Sequence, residues 1–276
     1  MKKETNIKRF IAFSCFHSPY PTAEAMRWVL DEIADYKPHV VVCLGDLFDA
    51  SAASVHPDEV KHTLLDEYAV ASNFLEQVRR TAPTNASFVW TLGNHDDNIQ
   101  RCDPRRIPEG LRDIVNWNNT RNYGDEFRKW KQYPYEKGAQ CVYSLGQVGF
   151  FHGFDAGSNS DETESLQMSY VTGAQPWRLW IRGHTHRPVQ VTQAKKSARV
   201  RLPHFYANAG TLGFGDQTPE YMTRKDVSCW GQAIVYGEVN TAKKLHECNG
   251  VEWSASTYER MVPCEKPVAR MAECLS

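Results

Sequence analysis

Five short polar clusters along the chain carry the side-chain types that bind metal ions. In order, they are Cys15-Phe16-His17, Gly45-Asp46-Leu47-Phe48-Asp49, Gly93-Asn94-His95-Asp96, His152-Gly153 and Gly183-His184-Thr185-His186. Together they offer thiolate, imidazole, carboxylate and amide oxygen, which are ligands for zinc, iron and manganese. A single histidine near a strand end is more often structural, and a single aspartate after glycine is usually a turn residue. The ordered set of five is far more specific, and it predicts a metal site.

Alternating strands and helices are expected to bring these clusters together. Apolar runs end at the first three clusters, and they cover residues 10–16, 39–44 and 87–92. Between these runs, apolar residues recur at helical spacing over 22–36 and again over 57–78. This alternation is typical of βαβ units around a buried sheet. Because sites in such sheets form beyond the carboxyl ends of the strands, the clusters should meet at one edge.

Residues 97–137 interrupt this alternation, and we expect them to form an inserted cap within a single domain that spans residues 1–276. The segment is rich in Arg, Asn, Trp and Tyr, with weak helical patterns near 109–117 and 124–132. A β-hairpin around Gly146 should follow the cap. The other expected elements are a solvated loop at 155–168, a short strand at 178–182, antiparallel strands at 197–208 and 232–239, and a loosely packed C-terminal tail.

Bulk composition favours a soluble globular protein. The 276 residues are 41% hydrophobic and 24% charged, and the formal net charge of −1 gives no global basic field for non-specific nucleic-acid binding. No apolar run approaches the roughly 18–20 residues that cross a bilayer, so no membrane partner is expected. Eight cysteines without a CxxC pair, and no recognisable secretory signal, favour reduced thiols and a cytoplasmic location.

The clusters resemble those of the calcineurin-like metallophosphoesterase family. The family pattern is D-x-H, G-D-x-x-D, G-N-H-[DE], a solitary His and G-H-x-H, and the match spans residues 15–186, extending to 208–213. Four of the five blocks are intact, whereas the first has Cys15 in place of the family's aspartate. The resemblance implies an α/β fold with a two-sheet β-sandwich flanked by helices. It also implies a two-metal centre that hydrolyses phosphoesters by metal-bound hydroxide.

The resemblance assigns a role to each polar residue. The implied ligands of the first metal are Cys15, His17 and His186. Those of the second metal are Asn94, His152 and His184, and Asp46 would bridge both metals. His95 would bind no metal. It would face the phosphate and assist the leaving oxygen, and Asp49 would orient its ring.

The chemistry of two-metal sites fits these roles. Two metal ions about 3.5–4 Å apart lower the pKa of a bridging water to near neutrality and clamp phosphate oxygens. Two divalent ions against the Cys15 thiolate and the Asp46 carboxylate keep a formal charge of about +2, which favours an anionic substrate. In-line attack then needs a proton donor on the far side, and a histidine held by a carboxylate is suited to this.

The cysteine at position 15 changes the expected metal. A coordinated thiolate is soft, so it favours zinc or iron at the first site over magnesium or manganese. The thiolate is also open to oxidation. The alternative is that Cys15 is a small buried hydrophobe that has lost the ligand role.

The expected substrate is a phosphodiester, a nucleotide or a nucleic acid. Arg101, Arg105 and Arg106 follow the third cluster closely and are candidates for substrate contact. Arg187 follows the last cluster, where an ion-pair or packing role is an equal alternative. Aromatic and basic residues of the cap would suit base stacking, or the aromatics would form the cap's own core.

Two other functions remain open. One is a phosphomonoesterase that acts on a small metabolite, and the other is a degenerate scaffold that binds partners without turnover. Retention of His95 argues against the scaffold, because this residue has no metal-binding role to preserve. Ala50-Ser51 and Asp96 stand where protein phosphatases of this superfamily carry arginine and glutamate, which disfavours protein dephosphorylation.

Overall fold

The computed structural model describes residues 6–54, 62–107, 109–117, 124–172, 179–194, 204–213, 229–241 and 257–263. The α-helices in these ranges are α1 Ala23–Tyr36, α2 Leu64–Thr81, α3 Asn94–Arg101 and α4 Ser160–Val171. The strands are β1 Ile7–Phe13, β2 Val40–Cys43, β3 Ser87–Thr91, β4 Lys131–Tyr133, β5 Tyr143–Leu145, β6 Val148–Phe150, β7 Leu179–Arg182, β8 Pro188–Gln193, β9 Phe205–Ala209, β10 Ala233–Asn240 and β11 Thr257–Pro263. Short 3₁₀ helices lie at Ser51–Ala53, Pro104–Arg106, Glu109–Leu111, Asp125–Lys129 and Ala139–Cys141.

Two mixed sheets form the centre of the fold. The first has six strands in the order β11-β10-β1-β2-β3-β4, and the second has five in the order β5-β6-β7-β9-β8. Strands β1 to β4 run parallel, as do β6, β7 and β9. The five polar clusters follow β1, β2, β3, β6 and β7, each at the carboxyl end of a strand that has a parallel neighbour.

Helices cover the outer faces of both sheets. Between the sheets, Phe10 and Val42 belong to one apolar cluster with Phe150 and Ile181. On the far side of the first sheet, the buried faces of α1 and α2 join residues of β1, β2 and β3 in a second cluster. On the far side of the second sheet, Met168 of α4 joins residues of β7 and its surroundings in a third. These layers confirm the predicted α/β sandwich flanked by helices.

Local signals fix the first two helices. The hydroxyl of Thr22 accepts a hydrogen bond from the backbone of Ala25, and α1 ends at Lys37 in the left-handed region, just before a proline. At the start of α2, Thr63 and Asp66 form a reciprocal capping box. The predicted start of this helix, at residue 57, lies outside the described residues.

The prediction of a solvated loop at 155–168 is wrong for residues 160–168. Residues 160–171 form α4, and its Asp161 and Glu164 are buried and not solvated. Strand β8 had no counterpart among the expected elements. The strand expected at 197–208 is represented by β9, which pairs parallel with β7 and antiparallel only with β8. Residues 195–203 and the predicted tail, which is the last dozen residues, lie outside the described ranges.

The expected cap contains short turns and an edge strand. Residues 97–101 continue α3, and the patterns near 109–117 and 124–132 correspond to 3₁₀ turns. Residues 131–133 form β4 and pair parallel with β3, so this part of the segment belongs to the first sheet. The hairpin around Gly146 is present as β5 and β6. A substrate-capping role for residues 97–137 stays a prediction.

Candidate metal centre

The structure brings four potential metal ligands together at the end of β1. Cys15, His17, Asp46 and His186 each offer one atom, and these atoms all lie within 4.8 Å of one another. The Nε2 atoms of His17 and His186 are 3.1 Å apart, and Nε2 of His17 is 3.7 Å from a carboxylate oxygen of Asp46. All four residues are buried.

A second group shares Asp46 with the first. Asp46, His152 and His184 also offer atoms within 4.8 Å of one another. Nε2 of His152 lies 3.1 Å from the Asp46 carboxylate, 3.2 Å from Nδ1 of His184 and 3.2 Å from Oδ1 of Asn94. Asp46 therefore belongs to both of these groups, and its role as a bridging ligand stays a prediction.

The backbone at these positions is strained. Five of the seven residues named as ligands have positive φ angles, namely Cys15 at 50°, His17 at 47°, Asp46 at 49°, His184 at 70° and His186 at 60°. A non-glycine residue in this left-handed region costs about 1–3 kcal/mol, and such residues cluster at functional sites. In the turns after β1, β2 and β7, the fold therefore holds these residues in backbone conformations that non-glycine residues disfavour.

Asp96 positions the turn that carries Asp46. Its carboxylate accepts hydrogen bonds from the backbone of Leu47 at 2.9 Å and Phe48 at 3.2 Å, and from that of Gly93 at 2.9 Å. The indole of Trp90 donates to the same carboxylate at 3.2 Å. Sequence reasoning gave Asp96 no role at the site, although its place in the third cluster was the available signal.

Glycine is required at position 93 by the close approach of Asp46. A Cβ atom at this position would overlap the Asp46 carboxylate. The loops after β2 and β3 can therefore meet only if one of them lacks a side chain there. This explains the glycine that precedes Asn94 and His95.

Oxygen acceptors orient two of the predicted ligand imidazoles. Nδ1 of His152 lies 2.6 Å from the carbonyl oxygen of Leu44, and Nδ1 of His17 lies 3.3 Å from a carboxylate oxygen of Asp49. An acceptor at Nδ1 fixes the ring so that Nε2 points toward a metal. In both residues, Nε2 is the atom that lies among the other ligand atoms.

His95 lies beside these two groups and, with His17 and Asp49, forms a third group whose atoms lie within 4.8 Å of one another. Its Nδ1 is 2.6 Å from the backbone carbonyl oxygen of Asp49 but 3.8 Å from the carboxylate of that residue. The predicted contact with Asp49 is therefore made mainly by the main chain. The backbone N–H of His95 also donates to Asp46 at 2.9 Å. Burial lowers the pKa of His95, but the carboxylates of Asp46 and Asp49 raise it, and the net pKa is above the ordinary value.

Three of the candidate ligand imidazoles have lowered pKa values. Burial lowers the pKa values of His17, His184 and His186, that of His184 to about 3, so these imidazoles are neutral near pH 7. Neutral imidazole is the form that binds metal. Three neutral imidazoles lie close to one carboxylate. A cation bound among them would accept a lone pair from each ring.

Cys15 lies inside the first group. Its side chain is fully buried, and its sulfur accepts a hydrogen bond from the backbone of His184 at 3.3 Å. Burial and the negative charge of Asp46 raise the pKa of the thiol well above its usual value. A thiolate at this position would therefore need a cation beside it. If Cys15 is a metal ligand, the bound metal is that cation.

A cavity of about 360 Å³ opens above the two groups. Its lining residues are Asp46, Asn94, His95, Ala156, His184, Thr185, His186, Arg187, Cys229 and Trp230. The indole of Trp230 meets the ring of His186 edge to face, with centroids 4.3 Å apart. Trp230 was absent from the sequence-based candidates, because no motif marks it.

The arginines predicted to contact substrate occupy different places. Arg187 lines the cavity, and its guanidinium donates to the carbonyl oxygen of Gly157 at 2.6 Å. Arg101, Arg105 and Arg106 are exposed and do not line the cavity as the described residues define it. Arg101 forms an ion pair with a neighbouring aspartate one helical turn earlier. A substrate contact by these three stays a prediction.

The two-sheet fold and the clustered candidate ligands are similar to those of metallophosphoesterases. A family model described as calcineurin-like phosphoesterase matches residues 8–188, more than half of the chain, and the chain belongs to this family. Comparison with curated proteins found no match. Among the described residues, no helix has both the length and the apolar character of a membrane span.

Several solved structures are similar to this chain at low identity. Vacuolar protein sorting 29 from Cryptosporidium parvum is 14% identical, with 94% of this chain and 99% of that chain covered and a TM-score of 0.40. The phosphoesterase YfcE from E. coli is 16% identical, with 84% and 87% covered and a TM-score of 0.37. A cold-active protein-tyrosine phosphatase of a Shewanella species is 14% identical, with 83% and 75% covered and a TM-score of 0.42.

Proposed function

We propose that this chain hydrolyses a phosphodiester with two divalent metal ions, zinc, iron or manganese. The observation that carries the proposal is the position of Asp46 in two of the three groups of potential ligands found among the described residues. Asp46 would bridge the ions, Cys15, His17 and His186 would complete the first site, and Asn94, His152 and His184 the second. Bound there, the ions would activate a water molecule and withdraw charge from the phosphate.

His95 is the proposed proton donor. The carbonyl oxygen of Asp49 accepts a hydrogen bond from Nδ1 of His95, which fixes the ring, and His95 lines the cavity beside Asp46. A histidine held in this way can protonate an oxygen that leaves with negative charge, a contribution of about 10²–10⁴-fold in rate. His95 belongs to neither of the two groups that contain Asp46, and in the proposed assignment it binds no metal. A histidine without a metal-binding role has no use in a scaffold, so its retention supports an enzyme.

The walls of the cavity support a substrate with a planar group next to the phosphate, such as a nucleotide. Arg187 supplies a guanidinium anchored on the Gly157 carbonyl, and this group can bind phosphate oxygens. Trp230 supplies an aromatic face against which a base could stack. Both residues lie beside the His184 and His186 turn, so the phosphate and the planar group would be held at one end of the cavity.

Hydrolysis of paired model substrates tests the proposal. Purified protein is assayed with bis(nitrophenyl) phosphate and nitrophenyl phosphate in the presence of manganese, zinc or iron. We expect turnover of both with the higher kcat/KM for the diester, and none in Asp46→Asn. Arg187→Met should raise KM, whereas Arg27→Met, at an exposed position on α1, should not. Higher kcat/KM for the monoester would favour the small-metabolite phosphomonoesterase, and no turnover by metal-loaded protein would contradict the enzyme.

A further inference from the structure

An acidic pair at the start of α4 is buried against an arginine at the end of β7. Asp161 and Glu164 are 5% and 2% exposed, and Arg182 is fully buried. One guanidinium nitrogen of Arg182 lies 2.8 Å from a carboxylate oxygen of Glu164 and 3.6 Å from one of Asp161. These three residues and Asn208 are called the α4 cluster below.

Such a cluster is a poor source of stability. Taking charges out of water costs several kcal/mol per ion, and apolar residues of similar volume often serve a core as well or better. Position 182 lies in a strand that otherwise reads Leu179, Trp180, Ile181, all fully buried. The charges of the α4 cluster are therefore better explained by what they hold in place.

Glu164 and Arg182 hold the loop that follows His152. The Glu164 carboxylate accepts hydrogen bonds from the backbone of Phe154 at 3.0 Å and Asp155 at 3.1 Å. Arg182 donates to the carbonyl oxygen of Asp155 at 2.8 Å. A Cβ atom at Gly153, whose φ is +106°, would overlap the guanidinium. The chain just after His152 is thus held on both its N–H and its C=O groups.

Asp161 and Asn208 hold the loop that carries the last two histidines. The Asn208 amide donates to the Asp161 carboxylate at 2.7 Å, to the carbonyl oxygen of Gly183 at 2.8 Å and to the hydroxyl of Thr185 at 2.9 Å. Gly183 and Thr185 flank His184 in the chain. A single amide group therefore ties α4 to the turn in which both histidines adopt left-handed backbone angles.

We propose that the α4 cluster is a positioning device for the metal centre. It joins the two loops of the second sheet that carry His152, His184 and His186, and it sets the distance between their imidazoles. The proposal rests on the metal centre of the proposed function and adds residues that touch neither metal nor substrate. Without the cluster, the second metal would lose its preformed ligand geometry.

Glu164→Gln is the variant that tests this role. The glutamine has nearly the same shape but presents an amide donor where the carboxylate accepts from two backbone N–H groups, and it removes the negative charge that is paired with Arg182. Metal-free folded protein is titrated with Co²⁺ and followed by visible absorption, which reports coordination geometry without any assay of activity. We expect two equivalents to bind in wild type, and the second to bind about 10–100-fold more weakly in the variant, with a changed spectrum.

A matched control and a second variant complete the test. Glu76→Gln removes an exposed partner of Arg80 on α2 and should leave the Co²⁺ titration unchanged. If Glu164→Gln does not fold, the triple variant Glu164→Met, Arg182→Met and Asp161→Asn leaves no unpaired buried charge, and it should fold yet show the same weakened second site.

The outcomes separate this proposal from the one it rests on. A folded variant with a lower melting temperature but unchanged Co²⁺ affinity and spectrum would make the α4 cluster merely structural and overturn the inference. The proposed function would then stand. Wild-type protein that takes up no Co²⁺ would instead remove the metal centre, and the positioning role with it.

Discussion

The carboxylate of Asp49 lies 3.3 Å from Nδ1 of His17, and the backbone carbonyl oxygen of the same residue lies 2.6 Å from Nδ1 of His95. One residue therefore fixes two imidazoles with different proposed roles. Its side chain orients a metal ligand, and its main chain orients the proton donor. Because a substitution changes only the side chain, the two functions of Asp49 can be separated.

Asp49→Asn should weaken metal binding more than it slows the chemical step. Loss of the negative acceptor at His17 should reduce affinity for the first metal about 10–100-fold, the range seen when such supporting contacts are removed. The carbonyl contact to His95 is retained, so kcat should largely recover when metal is in excess. Metal titration and kcat at saturating metal check this. If the variant has unchanged metal affinity but a low kcat at saturating metal, the Asp49 carboxylate supports His95 and not His17.

His95→Asn should spare the metals and slow the reaction. We expect unchanged metal content and a kcat lower by about 10²–10⁴-fold, because a proton donor is lost. The defect should be larger for an alkyl phosphodiester than for a nitrophenyl one, since a nitrophenolate leaves without needing a proton. Elemental analysis and the two substrates check this. Loss of metal from the variant would make His95 a ligand.

Substitutions at Cys15 should change the metal and its sensitivity to oxidation. Cys15→Ala should lose metal from the first site, whereas Cys15→Asp should retain two ions and shift the preference toward manganese, because a carboxylate is a harder ligand. Peroxide should inactivate wild type but not Cys15→Asp. Elemental analysis and peroxide inactivation rates check this. Full metal content in Cys15→Ala would show that Cys15 is not a ligand and serves only as a small buried hydrophobic residue.

Glu126→Gln should destabilise the fold in a pH-dependent way. Burial raises the pKa of Glu126. Hydrogen bonds from Arg79 at 2.7 Å and Lys129 at 2.9 Å lower the pKa by a larger amount, so the net pKa is below the ordinary value. A carboxyl whose pKa is depressed by folding stabilises above its unfolded pKa of about 4.3, and this stabilisation is lost as the pH falls through the folded pKa.

Thermal unfolding at several pH values measures this contribution. At pH 7 we expect a loss of about 1 kcal/mol, since the Arg79 side chain is 33% exposed and solvent screens the pair. The difference between Glu126→Gln and wild type should shrink below pH 4. Because the pair joins α2 to the 3₁₀ helix at Asp125–Lys129, it also reports how the predicted cap is anchored. A difference independent of pH would contradict the assignment.

The sequence could predict that the candidate ligands meet, because they follow strand ends. Asp46, Asn94 and His184 each come one to three residues after an apolar run, and parallel strands bring such positions to one edge. The burial of Asp161 could not be predicted, since residues 155–168 are polar and the partner that neutralises it, Arg182, is distant in sequence. Strand β4 has only three residues, too few to show a period, and it is defined by its pairing with β3.

Trp230 could not be predicted from the sequence for a different reason. It stands in no motif, and its place in the cavity follows from the pairing of β10 with β1, which brings the preceding residues beside His186. The contact of Asp49 with His17 was missed for a related reason. The resemblance gave a partner for His95, but which atoms of Asp49 reach which ring depends on the left-handed turns at His17 and Asp46.

Metal content per chain decides whether two cations bind at Asp46. The measurement is elemental analysis of protein purified without oxygen, for wild type, Asp46→Asn and the exposed control Asp35→Asn. We predict about two equivalents of zinc, iron or manganese in wild type and in the control, and loss from both sites in Asp46→Asn. Wild-type protein that holds no metal when all three are supplied, or an Asp46→Asn variant that keeps both ions, would contradict the two-metal centre.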